Sequence, residues 1–251
     1  MKILICENYE HLSEVASNII EDKITANPKC VLGLATGGTP EGTYQRLIDK
    51  YKQGSLDFSS VTTFNLDEYY GLNGRHPQSY AKYMYDKLFK HINIDINNTN
   101  IPQGDVDDIK KECKRYEEAI LEAGGIDLQL LGIGTNGHIG FNEPNAYLKT
   151  KTHLVKLKEE TINANSRFFE KKEDVPTRAI TMGIKSIFRA KEILLLASGP
   201  EKAPIIMELL KGQLSTYVPA SILNLHPSVT IVVDKAFIEY LKKQNVELSA
   251  I

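Results

Sequence analysis

Three short segments combine residue types that can move protons or hold an anion. The densest runs Gly132-Ile133-Gly134-Thr135-Asn136-Gly137-His138-Ile139-Gly140-Phe141-Asn142-Glu143-Pro144. It sets one imidazole and one carboxylate close together among glycines that allow a ligand to approach the backbone. Histidine is the side chain best suited to proton transfer near neutral pH, and a neighbouring Asn or carboxylate can fix which ring nitrogen carries the proton. The second segment is Asn65-Leu66-Asp67-Glu68-Tyr69-Tyr70. Its adjacent carboxylates could supply a general base, although a solvated acid capping the next element is the commoner reason for such a pair. The third, Thr36-Gly37-Gly38-Thr39-Pro40, offers backbone N–H groups, hydroxyls and the positive end of a following helix. Together these make a phosphate cradle, though a plain Gly-rich turn reads the same way. No Lys-Ser/Thr pair follows its glycines, so it is not a Walker loop.

The segment from Gly132 also contains the GxGxxG spacing of dinucleotide sites, and Glu159 and Glu160 lie about 20 residues further on, as such sites require. However, Gly140 and Pro144 interrupt the helix that should follow. A nicotinamide site is therefore disfavoured. His138 and Glu143 could ligate a metal, but no third ligand stands at suitable spacing, and Cys6, Cys30 and Cys113 form no CxxC pair. Neither metal nor cofactor is expected.

Such segments meet only if the elements before them point the same way. Lys2–Cys6, Cys30–Leu34, Val61–Leu66, Ile126–Ile133, His153–Leu157, Ala179–Gly183, Glu192–Ala197 and Val229–Val233 read as strands. Between them, Tyr9–Ile24, Glu41–Tyr51, Pro77–Phe89, Ile109–Ala123, Glu159–Phe169, Pro200–Lys211 and Lys235–Lys243 read as helices. This alternation predicts an α/β fold with a mostly parallel central sheet and helices on both faces. With no linker or repeat, residues 1–251 read as a single domain. In such sheets ligands bind beyond the carboxyl ends of the strands, where all three segments fall.

Composition narrows the partners. The 251 residues carry 30 Lys and Arg against 32 Asp and Glu, a net charge of −2. This excludes broad electrostatic binding of nucleic acid or anionic membranes. Apolar runs such as Ile193–Ala197 fall far short of the roughly 20 residues a membrane span needs. The start, MKILICENYEHL, lacks the apolar core of a signal peptide. An odd number of cysteines, two of them within apolar runs, predicts reduced thiols and a cytoplasmic location.

Five motifs in order, LGLATGGTP (Leu32–Pro40), FNLDEY (Phe64–Tyr69), GIGTNGHIGFNEP (Gly132–Pro144), NSRFF (Asn165–Phe169) and SGPEKA around Lys202, give the chain a resemblance. It is similar to the glucosamine/galactosamine-6-phosphate isomerase family, and within it to the deaminases, over essentially its whole length. The resemblance implies a Rossmann-like fold and metal-independent conversion of D-glucosamine 6-phosphate and water to D-fructose 6-phosphate and ammonia, in amino-sugar catabolism. It implies Asp67 as the base for enolisation and His138 as the ring-opening acid/base, with Asn136 and Glu143 working beside that histidine. It implies Thr36, Gly37, Gly38 and Thr39 as the phosphate loop, with Arg167 and Lys202 as its cations. The segment Lys149–Pro176 matches the family's mobile lid. The expected partner is the small-molecule substrate, and the expected assembly a monomer or small homo-oligomer.

Two departures stand out. Many family members have Asp at the position of Asn136. Asn can orient the histidine but cannot stabilise an imidazolium by charge. Ala146, His153 and Val155 occupy positions where allosteric hexameric relatives bind N-acetylglucosamine 6-phosphate through Ser, Arg and Lys. Little or no activation by that ligand is expected; sigmoidal kinetics relieved by it would contradict this. The rival readings are weaker. A 6-phosphogluconolactonase would lack the Asn-Glu-Pro pattern. A non-catalytic sugar-phosphate sensor would carry a DNA-binding helix pair ahead of the first strand at Lys2. Ribose-5-phosphate isomerases have different loop motifs.

Overall fold

The computed structural model describes residues 1–166, 169 and 171–246. Along them run β1 (Lys2–Cys6), α1 (Tyr9–Ala26), β2 (Val31–Leu34), α2 (Glu41–Lys52), β3 (Thr62–Asn65), β4 (Asp67–Tyr69), α3 (Tyr80–Lys87), β5 (Thr99–Asn100) and α4 (Ile109–Glu122). There follow β6 (Leu128–Gly132), β7 (His153–Lys156), α5 (Glu159–Asn165), β8 (Arg178–Thr181), α6 (Ile184–Phe188), β9 (Glu192–Ala197), α7 (Ala203–Leu210), β10 (Val229–Asp234) and α8 (Lys235–Lys243).

Seven strands form one parallel sheet in the order β1-β10-β9-β6-β2-β3-β5. Alternate residues of its strands feed two separate cores. Leu32, Leu34, Leu128, Leu130, Leu194 and Leu196 pack under α1, α2 and α3. Val31, Phe64, Leu131, Ile193 and Leu195 pack under α4, α6, α7 and α8. Strands covered on both faces need apolar residues at nearly every position, which is why β9 reads EILLLA. The helices match: α1 buries Leu12, Ala16, Ile20 and Ile24 at a spacing of one turn, and Asn8 caps its start by accepting from the His11 amide. Each fully buried aliphatic side chain contributes roughly 1.5–3 kcal/mol. Among the described residues, no helix is long and apolar enough to cross a membrane.

The sheet turns outward from its middle. From β2 the chain steps to β3 and β5, and from β6 it steps the other way to β9 and β10. The loops after β2 and β6 therefore diverge and leave a crevice at the switch point.

A second, three-stranded sheet in the order β4-β8-β7 is antiparallel. It stands beside the mostly parallel central sheet that the sequence predicts. The strands predicted over His153–Leu157 and Ala179–Gly183 lie here, and the strand predicted over Val61–Leu66 is two strands. Leu66 is the corner. Its amide donates to the Leu34 carbonyl of the large sheet (3.1 Å), and its own carbonyl accepts from Met182 at the end of the small one (2.8 Å). Asp67 is thereby the first residue of the small sheet. The helix predicted from Pro77 starts only at Tyr80, where Ser79 caps it by accepting from the Lys82 amide. The helix predicted from Pro200 opens with a 3-10 turn, Pro200–Lys202.

The start of the 149–176 segment is tied down. Lys149 and Thr150 carbonyls accept from the Ile184 and Lys185 amides. Thr152 donates to Glu117 through both its amide (2.7 Å) and its hydroxyl (2.6 Å), and Ser186 donates to the same carboxylate. A bond from the Leu157 amide to the Thr177 carbonyl (2.9 Å) then closes the base of the excursion between them.

Candidate active site

One cavity of about 640 Å³ occupies the crevice. Thr36, Gly37, Gly38, Thr39, Asp67, Asn136, His138 and Lys202 all line it. Glu143 sits behind Asn136 and His138. Arg167, also expected here, lies outside the described residues. Tyr9, Tyr80, Thr161 and Ser198 line the cavity too; Ser198 opens the SGPEKA motif, and the other three carried no recognisable sequence signal.

The loop after β2 is held from behind by tyrosines. The Tyr44 hydroxyl donates to the Ala35 carbonyl (2.5 Å), and that of Tyr83 to the Gly37 carbonyl (2.6 Å). The Tyr9 hydroxyl lies 3.0 Å from the Gly38 carbonyl and 3.1 Å from that of Thr39, and accepts from the Gly42 amide (2.8 Å). Carbonyls are thus occupied while, among the described residues, none accepts from the amides of Gly37, Gly38 or Thr39. Free amides at a helix start are what an anion requires. Across the cavity, partial burial pulls the Lys202 ammonium below its usual range against the opposing effect of Glu201. Its loop is fixed by Asp234, whose Oδ2 accepts from the Ser198 hydroxyl (2.6 Å) and the Gly199 amide (2.8 Å). The other oxygen, Oδ1, caps α8 by accepting from Ala236 (3.0 Å).

Asp67 and Glu68 point to different tasks. Asp67 is only 6 % exposed, yet its carboxyl borders the cavity. Burial, with the nearby Glu68 carboxylate adding, pushes it up to about 8. Glu68 faces away and accepts from the amides of Tyr69 (2.8 Å), Tyr80 (2.9 Å) and Ala81 (2.9 Å). Burial raises Glu68 as well, to about 7, but those three amides favour its charged form. Asp67 therefore holds its proton to higher pH than Glu68, and Glu68 serves the start of α3.

The loop after β6 forms a hydrogen-bonded chain. Asn136 Nδ2 donates to Glu143 Oε2 (2.8 Å), and Asn136 Oδ1 stands 2.7 Å from His138 Nδ1. Because the amide nitrogen is committed to a carboxylate, the amide oxygen must face the ring, so Nδ1 carries the proton. In the neutral ring, Nε2 is then the basic nitrogen. Thr161 Oγ1 donates to Glu143 Oε1 (2.7 Å), which is 3.5 Å from His138 Nδ1. Burial would raise Glu143. The bonding and charge of His138, then Thr161 and Asn136, outweigh it and bring the carboxyl down to about 2. The ring lies flat over Gly134, where a Cβ would sit 2.2 Å from His138 Cε1. Gly140 has φ +55°, and a Cβ there would meet Thr181 Oγ1 at 2.9 Å, the residue paired with Asp67. Two glycines of the motif are thus demanded by close approach.

The arrangement supplies an anion cradle at one end, a buried carboxyl and an oriented imidazole at the other. Among the described residues, no group of three His, Cys, Asp or Glu side chains is placed to hold a metal ion.

Residues 7–232 match the family model described as glucosamine-6-phosphate isomerases/6-phosphogluconolactonase. A glucosamine-6-phosphate deaminase of Thermoanaerobacter pseudethanolicus is 58% identical over 235 residues, 94% of this chain and 93% of that protein. One from Clostridium botulinum (strain Loch Maree) is 55% identical over 94% of this chain and 96% of its own. The solved structure of a monomeric glucosamine-6-phosphate deaminase superimposes with a TM-score of 0.93, 48% identity, and coverage of 95% of this chain and 99% of that one. A 6-phosphogluconolactonase from Thermotoga maritima shares the fold, with a TM-score of 0.74 at 21% identity, over 93% of this chain and 99% of its own. The chain belongs to the family of glucosamine-6-phosphate isomerases and 6-phosphogluconolactonases.

Proposed function

We infer that the chain deaminates and isomerises D-glucosamine 6-phosphate, giving D-fructose 6-phosphate and ammonia. The observation that carries the reading is one cavity joining a free-amide loop, a buried carboxyl and a tautomer-fixed imidazole, in a chain 54–58% identical to deaminases. The lactonases resemble it in fold at 21% identity or less among those compared.

The phosphate occupies the amides of residues 37–39, with Lys202 and Arg167 as counter-charges. His138 Nε2 takes the proton of the anomeric hydroxyl and returns it to the ring oxygen, opening the sugar to its aldehyde. Asn136 and Glu143 keep the ring in the tautomer this needs. Ionised Asp67 then removes the proton from carbon 2 and delivers it to carbon 1, while one proton of the substrate's ammonium passes to the carbon 1 oxygen, which becomes a hydroxyl. The resulting imine at carbon 2 adds water and releases ammonia. Positioned proton transfers of this kind contribute about 10²–10⁴-fold each. Binding energy from the distant phosphate holds the reacting carbons in place. The substrate's ammonium, next to carbon 2, favours the ionised form of Asp67 once bound.

The excursion from Leu157 to Thr177 serves as the lid, within a single domain of 251 residues. The monomeric relative supports a monomer or small homo-oligomer, and the free, buried Cys6 and Cys30 support a reducing, cytoplasmic setting.

The test mixes purified protein with glucosamine 6-phosphate and EDTA and follows ammonia and fructose 6-phosphate together. Equimolar release is expected. Ligand binding without release would sink the reading, and hydrolysis of a phosphogluconolactone would replace it.

A further inference from the structure

The excursion closed at its base by Leu157 and Thr177 returns to the body of the protein at a chemically specific point. Thr161, on α5, places its hydroxyl 2.7 Å from Glu143 Oε1. The other carboxylate oxygen, Oε2, holds Asn136 Nδ2 at 2.8 Å, and Asn136 Oδ1 holds His138 Nδ1 at 2.7 Å. Four side chains thus form an unbroken line from α5 to the imidazole. Nearby, Lys158 Nζ donates to the Pro144 carbonyl at 3.1 Å, and the ring of Phe169 packs against that of Tyr69 at 5.9 Å. Packing alone would seat the segment; the Thr161 hydroxyl adds a bond that reaches the histidine.

We propose that Thr161 is a positioning residue through which the seating of α5 sets the orientation of His138, by way of Glu143 and Asn136. When α5 is in place, Glu143 has a donor on each oxygen and cannot rotate. Its Oε2 then fixes the amide of Asn136, whose carbonyl in turn fixes the Nδ1–H tautomer. When α5 lifts, Oε1 loses its donor. Glu143 is then free to turn towards His138 Nδ1, now 3.5 Å away, and to compete with Asn136 for its proton. The imidazole is thereby set for ring opening only while the substrate is covered, which confines proton transfer to the closed site.

This inference rests on the deaminase reading for its kinetic test, and a second readout is independent of turnover. Thr161→Val keeps the shape and removes the donor; Thr161→Ser restores it. A lost hydrogen bond to a charged group corresponds to roughly a 10–100-fold loss. Thr161→Val should lower kcat by about that factor with KM for glucosamine 6-phosphate changed less than about threefold, and Thr161→Ser should recover most of it. In protein labelled with ¹⁵N-histidine and saturated with fructose 6-phosphate, long-range proton–nitrogen spectra report the His138 tautomer, assigned with His138→Gln. The Nδ1–H resonance should shift in Thr161→Val, as its acceptor changes from the Asn136 amide oxygen to the Glu143 carboxylate, and return to the parent position in Thr161→Ser. A raised KM with unchanged kcat would make Thr161 a plain substrate contact and overturn the proposal, as would identical imidazole spectra in parent and Thr161→Val. If the parent releases no ammonia, the deaminase reading fails, and the spectra of the same variants still decide the link.

Discussion

Asp67 and Glu143 are both nearly buried, 6 % and 8 % exposed, yet the protein drives their carboxyls in opposite directions. Asp67 begins the small sheet where the backbone hydrogen bonds are already satisfied by strand pairing, so burial acts on it unopposed and raises it to about 8. Glu143 sits at the end of a glycine-rich loop that folds donors onto it, and it falls to about 2. A carboxyl meant to accept a proton from carbon gains from being a stronger base, and one meant to hold a neighbour in place gains from staying charged. The difference comes from the imidazole and hydrogen-bond donors gathered around Glu143, set against the deeper burial of Asp67 beside Glu68.

The largest effect should come from Asp67→Asn. Removing the proposed base is expected to cut kcat by about 10²–10⁴-fold, measured as fructose 6-phosphate formation. The same change should stabilise the fold. A carboxyl raised in the folded state supports folding only while protonated, below its unfolded value near 4. That support is lost as pH rises from about 4 to about 8. Urea unfolding should therefore show Asp67→Asn gaining about 2 kcal/mol or more over the parent at pH 8 and nothing near pH 4. Equal stability at both pH values would mean Asp67 is solvated and the contrast with Glu143 is false.

Glu143→Gln should do the reverse. Its depressed carboxyl stabilises the fold above about pH 4, and this is lost as pH falls through about 2. The variant should lose about 1–3 kcal/mol at pH 7 and roughly 10–100-fold in kcat, with the stability gap from the parent narrowing in acid. Loss of activity with no change in stability would leave Glu143 a reacting group, not a support.

Asn136→Asp sharpens the comparison further. It sets a second carboxylate 2.8 Å from Glu143 Oε2, where the amide now donates. Two such groups cannot both ionise cheaply, so the variant should be less stable by about 1–2 kcal/mol at pH 7 and regain this below pH 5. The smallest effect concerns free-enzyme kinetics. The kcat/KM of the parent should climb towards pH 8 as Asp67 ionises, whereas kcat, reporting the occupied site, should level off at lower pH.

Much of this arrangement is legible in the sequence. Apolar runs such as EILLLA show a strand covered on both sides, and the spacing of Leu12, Ala16, Ile20 and Ile24 shows a helix with one buried face. The three loops could be placed at strand ends because strands of a parallel sheet all end on one side. The second sheet was not legible. Phe64-Asn65-Leu66-Asp67 is continuous in character, and only the paired bonds of Leu66 to Leu34 and Met182 reveal a corner. Nor did local sequence separate Asp67 from Glu68. Their tasks differ because one faces a cavity and the other three amides, which depends on where α3 packs. Thr161 gave no signal, since an exposed threonine and one bonded to Glu143 look alike in sequence.

The carboxylate of Asp234 joins two things that sequence keeps apart: the turn leading to Lys202 and the first residues of the last helix. Such a shared anchor makes them a single cooperative unit. Fraying of α8 from its N-terminal end would release Ser198 and Gly199 at the same moment. Amide hydrogen exchange in 198–202 and in the first turn of α8 should then show one common opening free energy. Substrate phosphate held by Lys202 would slow exchange in α8, at the far end of the chain from the phosphate loop.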